Sequence, residues 1–273
     1  MSLRRMMMFT LGGYSPELQS LINRANTEGF TLPSESTLNA LDVFLKELKS
    51  QNILQTRDYL RVSAYNNTGV ENFSRINIVN PTSALTDYSG NYTYRVDGVK
   101  LNSTTSGQAN QINTKFNLST GTYYKQNDAS RLYVLSVAFT GAFTSIIDGA
   151  TVGGNASTAH RISAQNNAEK RINQSTTNLP VSVDFTGTGL RALVRTSSTA
   201  VQCYRGNIQT VTTATSSTSN LNAILFEGVS FNLRANGGYA LSMHGSSLTQ
   251  SQVEFVRTSF NNYLTSIGLT AFA

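Results

Sequence analysis

Apolar and polar residues alternate with a period of two over most of this chain, and the period becomes helical only near its two ends. The clearest stretch is 223–268. Ala223-Ile224-Leu225-Phe226 is an apolar run; Val229, Phe231 and Leu233 then alternate with Ser230 and Asn232; Gly237-Gly238 breaks the pattern, and residues 239–243 resume it. That is the signature of paired strands around a glycine-bearing turn. From Leu248 the period changes. Thr249 followed three residues later by Gln252 predicts a capping box, with Leu248 and Val253 as a hydrophobic staple. Val253, Val256, Phe260, Leu264 and Ile267 continue one apolar face, and Gly268 is placed to end the helix where a positive φ costs least.

The amino-terminal end carries the other helical pattern. Ser15-Pro16-Glu17 predicts a capped start, Leu18, Leu21, Ile22 and Ala25 form an apolar stripe, and Gly29 stops it. After Pro33, Leu38, Leu41, Phe44, Leu45 and Leu48 repeat at helical spacing. The two segments form an αα-hairpin over 15–56, preceded by an arm over 1–14. Neither stripe is stable alone in water, so the hairpin docks either on the following domain or on another subunit. Leu18, Leu21, Leu41 and Phe44, with Arg4 and Arg5 of the arm, are the candidate assembly residues.

Between the ends, 57–248 reads as short strands at 59–65, 76–79, 92–99, 112–116, 132–139, 143–147, 160–164, 181–185, 192–194 and 200–204. Turn clusters such as Asn66-Asn67-Thr68-Gly69 and Ser89-Gly90-Asn91 separate them. The fold class is therefore mainly β, a sandwich or barrel over 57–273 closed by a helix at 249–267. No βαβ alternation and no Gly-rich phosphate loop is present, which argues against a nucleotide-binding α/β fold.

Composition narrows the class further. Only 13% of the 273 residues are charged, the net charge is +6, and Lys and Arg are scattered, so nucleic acid is not an expected partner. No stretch approaches the roughly 18 apolar residues of a membrane span. Arg4-Arg5 followed by Met6-Met7-Met8-Phe9 imitates a signal peptide, but the apolar part is short and no small-residue cleavage site follows. The lone Cys203 is expected as a small buried residue in a strand, and His160 and His244 as ordinary surface or hydrogen-bonded residues. No disulfide, zinc site or cofactor is expected.

Catalytic chemistry finds little footing. A sandwich that cleaves glycosides needs two carboxylates facing one bond, which one strand supplies at i and i+2 or i+4. Asp184 stands alone, Glu227 is followed by Gly228 and Ser230, and Asp148 sits by a glycine turn. Carboxylates of different strands are left as the one route to a pair, and Asp148 or Asp184 as candidate calcium ligands. Tyr88, Tyr92 and Tyr94, and Tyr123 with Tyr124, are the candidate sugar-stacking side chains, each serving a sheet surface equally well.

The order of strand, glycine turn, strand, Gly245-Ser246-Ser247-Leu248-Thr249, then a helix ending Tyr263-Leu264-Thr265-Ser266-Ile267-Gly268, resembles the end of concanavalin A-like (LamG-type) jelly-roll domains of phage virion proteins. Residues 99–117 and Tyr204-Arg205-Gly206-Asn207 extend the likeness, and the hairpin over 18–48 followed by 59–65 is similar to the amino-terminal half of virion proteins from phages of Bacteroidetes. The acidic strand motif of the family's glycosidases and the acidic/Asn cluster of its metal-dependent lectins are missing. The resemblance implies a jelly-roll sandwich and a non-enzymatic virion subunit, as head fibre, capsid decoration or tail-associated protein on the particle surface. Its implied partners are other virion proteins and copies of itself. The alternative is a module that binds a host surface glycan.

Overall fold

The computed structural model describes residues 13–102, 110–139, 146–152, 155–164, 170–173, 185–213, 222–228 and 236–272. Two antiparallel sheets form a sandwich with three helices. In chain order the elements are α1 (Pro16–Glu28), α2 (Glu35–Ser50), β1 (Arg57–Val62), β2 (Asp87–Ser89), β3 (Tyr92–Arg95), β4 (Gly98–Asn102), β5 (Gln111–Asn117), β6 (Ala129–Val137), β7 (Ile146–Val152), β8 (Asn155–Ser163), β9 (Lys170–Arg171), β10 (Gly189–Arg195), β11 (Ala200–Arg205), β12 (Ile208–Thr213), β13 (Ile224–Glu227), β14 (Asn236–Gly245) and α3 (Gln250–Ser266).

One sheet runs β12-β11-β10-β6-β14-β4-β3 and the other β2-β5-β13-β7-β8-β9. The strand β14 organises the first sheet. Its one edge pairs with β6 along 238–245, while its other edge pairs with β4 over 236–239 and with β1 over 241–245. The predicted turn at Gly237-Gly238 is instead the start of this strand. Phe139 stands where a Cβ of Gly237 would lie, and Ser136 and Val137 crowd Gly238, so glycine here admits a close neighbour rather than a chain reversal. Residues 76–79 are not a strand either: they follow a 3-10 turn at Phe73–Arg75, and Ile78 N–H bonds only Leu60 O beside β1. Residues 92–99 divide into β3 and β4 at a turn. The predicted segments 143–145, 181–184 and 229–233, and with them Asp184, lie outside the described residues.

The helices form as their caps require. Ser15 accepts from Leu18 N–H at 3.4 Å, Gly29 takes φ 72°, and Ser34 accepts from Thr37 N–H. Thr249 and Gln252 close the capping box on α3, and Gly268 lies at φ 78°. α2 packs on α3, where Phe44 meets Phe260 edge-on with ring centroids 5.5 Å apart. Tyr263 of α3 donates to Ala64 O at 2.6 Å and ties this helical layer to the sheet. Leu18, Leu21, Leu41 and Phe44 are at most 1% exposed, within one core cluster that continues into both sheets. These candidate assembly residues are thus buried in the core of their own chain, where α1 packs on α2 and α2 on α3. Arg4 and Arg5 lie outside the described residues.

Candidate functional site

Three of the five tyrosines expected on a binding surface are structural. Tyr124 is fully buried, and Tyr88 and Tyr94 nearly so. The Tyr88 hydroxyl takes a bond from Arg61 Nη1 at 3.0 Å and lies 2.9 Å from Ser74 Oγ; Tyr94 donates to Ser63 O; Tyr124 donates to Asn173 Oδ1 and accepts from Arg131. Each ring fills the interior while its hydroxyl satisfies a buried polar partner. Tyr92 is half-buried, held between Glu71 and Arg75. Only Tyr123 of the set is exposed, at 39%.

Between the sheets lies a cluster of charges. Glu227 on β13 and Asp148 on β7 are register partners, so two carboxylates far apart in sequence meet across neighbouring strands. Glu227 is paired with Arg61 of β1, and Asp148 with Arg131 of β6 at 3.2 Å and with the Tyr133 hydroxyl. All five side chains are buried. Burial works against ionisation of Glu227, but the Arg61 guanidinium holds its carboxyl below the usual range. Burial dominates at Asp148 and raises its pKa despite Arg131. Asp148 is thus neither in a turn nor available as a calcium ligand: its carboxylate is committed to Arg131 and Tyr133. Among the described residues no group of three or more His, Cys, Asp or Glu is placed to hold a metal ion. Cys203 is buried in β11, as its residue type suggests.

An open cleft lies elsewhere, at one end of β5. Ile224 pairs with Asn117 and Phe226 with Asn113, so a single β13 residue, Leu225, faces Thr114, Lys115 and Phe116. β5 bulges here and Lys115 takes φ 60°, a left-handed conformation that costs a side-chain-bearing residue about 1–2 kcal/mol. Side chains replace the lost ladder: Thr114 Oγ1 donates to Leu225 O at 2.6 Å and accepts from Phe116 N–H, while Asn113 Oδ1 accepts from Lys115 N–H at 2.9 Å. The bulge turns Lys115 and Phe116 into a cleft of about 210 Å³ walled by Asp58, Asn77, Asn80, Ser83, Thr120 and Thr122.

Asp58 builds the far wall. Its carboxylate accepts from the backbone N–H groups of Thr122, Tyr123 and Tyr124, at 2.7 Å from the first and last, and so folds the loop that carries Tyr123. Gly121 must lie under that loop, because a Cβ there would meet Asp58 Oδ2 at 2.9 Å and Phe116 Cζ at 3.2 Å. The charges at the cleft are already matched: Asp58 by three N–H groups and Lys115 by Asp87. The Thr122 hydroxyl and the Asn80 amide nitrogen, both on exposed residues, are left to bond a ligand. The half-buried Phe116 ring adds an apolar surface. No cleft residue stands out as a binding residue in the sequence, where 112–116 reads as an ordinary strand. The one available sign was Asn113-Thr114, two residues that bond their own backbone and so favour an interrupted ladder.

No protein-family model and no curated protein sequence matches the chain. Among solved structures it is similar to domain 4 of AbnA, a GH43 extracellular arabinanase from Geobacillus stearothermophilus in complex with arabinotriose, at 17% identity and TM-score 0.39 over 62% of this chain and 82% of that one. Trypanosoma rangeli sialidase matches at 11% identity and TM-score 0.44, over 81% of this chain and 39% of its own. The Botulinum neurotoxin serotype D binding domain matches at 12% and 0.41, over 76% and 51%. The chain thus spans well under half of the sialidase and about half of the toxin chain. Likeness of this degree concerns the β-sandwich alone.

Proposed function

We propose that the chain is a non-enzymatic carbohydrate-binding β-sandwich that takes a neutral glycan in the cleft at the β5 bulge. The observation that carries this reading is the bulge itself: local strain is spent to set the Phe116 ring beside unbonded amide and hydroxyl groups in a site whose charges are internally matched. A sugar offers the complementary chemistry, a ring of hydroxyls with a C–H face that lies on an aromatic ring. The cleft is smaller than the about 300–1,000 Å³ of pockets for drug-sized ligands, which fits one terminal sugar unit better than a long chain. The buried placement of Glu227 and Asp148, each tied to an arginine, supports binding without cleavage. A glycan array probed with the wild-type chain and with Phe116→Ala tests the reading. Binding to one terminal sugar class, weakened at least tenfold in the variant, is expected; equal signals from both proteins, or none from either, would overturn it.

The setting implied by the resemblance of 245–268 to virion jelly rolls is the surface of a phage particle, with the cleft turned toward the host and with other virion proteins or copies of this chain as partners. What favours an assembled subunit is the outer groove of the helical layer, where Val43, at 56% exposed, lies beside Ala40, Phe44 and Tyr263. Sedimentation of the full chain checks this. A homo-oligomer that Val43→Glu dissociates is expected, and a monomer at high micromolar concentration counts against it.

A further inference from the structure

His244 of β14 lies under the cleft and is fully buried. Its imidazole is stacked on Tyr59 at 5.3 Å and on Phe116 at 6.1 Å, the two aromatic residues that line the cleft, with the Tyr133 ring against it at 5.4 Å. Neither ring nitrogen has a hydrogen-bond partner. Nor has Glu227 Oε1, which stands 3.8 Å from His244 Nε2, beyond hydrogen-bond range. Buried polar atoms without partners are rare in folded proteins, and three of them on two neighbouring side chains demand a reason.

Charge balance supplies one. The groups around the imidazole are Glu227 from β13, Asp148 from β7, Arg131 and Tyr133 from β6, Tyr59 from β1 and Phe116 from β5, while Arg61 of β1 reaches Glu227 and Ser242 beside it. Arg61 is spent on Glu227 and Arg131 on Asp148. Two cations match two anions, so the cluster is neutral only while His244 is neutral. An added proton would face only Glu227, 3.8 Å away and already neutralised by Arg61, so the buried cluster would carry one net positive charge.

We propose that His244 is an acid-sensitive release beneath the cleft: its protonation places an unbalanced positive charge between the two sheets, loosens their packing and withdraws support from Tyr59 and Phe116. Burial already depresses the His244 pKa below its ordinary 6.5, in keeping with this. The sign follows from linkage. Between the depressed folded value and 6.5 the opened chain binds a proton that the closed one does not, so stability is full above pH 6.5 and falls as the pH drops. For one proton the unfolding equilibrium constant rises by up to about tenfold per pH unit in that window. Glu227, held below 4.5, contributes its own loss only under that value, and Asp148, raised by burial, adds stability as the pH falls, so a loss of stability between pH 6.5 and 5 reports the histidine.

The test is NMR titration of the two histidines of the full chain, assigned with His160→Gln, together with thermal unfolding of wild type and His244→Phe from pH 7.5 to 5. His244 is expected to titrate below 6.5, and the wild-type midpoint to fall with pH more steeply than that of the variant. Titration at or above 6.5, as an ion pair with Glu227 would give, overturns the proposal, and so do parallel pH profiles. Should His244→Phe fail to fold, hydrogen exchange of β14 amides in the wild type decides instead. Opening that grows by up to about tenfold per pH unit below 6.5, beyond the intrinsic rate change, supports the release, and pH-independent opening contradicts it.

Discussion

Arg61 and Glu227 show how far one residue's role depends on a distant one. Each is buried, and each is tolerable only because the other is there. Removing one partner of such a pair strands the other charge, so Glu227→Ala is expected to cost about 3–5 kcal/mol in urea unfolding, against under about 1 kcal/mol if the pair were idle. Acid gives a second readout. Because the Glu227 carboxyl is held below its ordinary 4.5, the stability it contributes is present above pH 4.5 and is lost as the pH falls through the folded value. Asp148, raised by burial, acts in the opposite sense, its contribution shrinking as the pH rises through its folded value. The difference in unfolding free energy between wild type and Glu227→Gln should therefore shrink between pH 5 and 3, and a constant difference would contradict the assignment. None of this was legible in the sequence. Glu227 is followed by Gly228 and looked unpartnered, because its partners come from β1 and β7 and no local spacing reports them. The tyrosines misled for a related reason: an alternating Tyr92-Thr93-Tyr94 sets which residues share a face, but not which face is inside.

At the scale of elements the sequence was most readable where stability is local. Ser15, Ser34 and Thr249 cap their helices, and Gly29 and Gly268 end two of them, because cap chemistry involves residues three or four apart. Thr249→Ala removes one cap bond and is expected to cost about 1 kcal/mol. Phe260→Ala, which empties the contact with Phe44 and Tyr263, should cost about 3–5 kcal/mol; denaturant midpoints separate the two, and a Phe260 effect under about 1 kcal/mol would place α3 outside the core. The β5 bulge escaped notice because its cause is the register of β13 opposite, a long-range pairing. Gly237-Gly238 reads as a turn because a glycine required by a neighbouring ring is indistinguishable, in sequence, from one required by a positive φ.

Across the whole molecule, the two-layer β architecture follows from the alternation and turn clusters, but strand order does not. β14, near the end of the chain, sits between β6 and the pair β1 and β4, so the first sheet closes only when the last strand arrives. The helical hairpin belongs to the same closure: it covers α3, which Tyr263 fastens beside β1. Leu41→Asp should accordingly lower the melting temperature by more than 10 °C, at about 2–4 °C per kcal/mol for a chain of this size, while leaving the oligomeric state of the folded fraction unchanged. A variant that melts normally but dissociates an assembly would return this stripe to an intersubunit role.

Binding at the cleft is reported most directly by a titration of the isotope-labelled chain with the terminal sugar selected on the array, followed by amide chemical shifts. Shifts that saturate and cluster at Asp58, Asn80, Lys115, Phe116 and Thr122 are the predicted result. Saturable shifts confined to another surface, or no shifts at millimolar sugar, would contradict it.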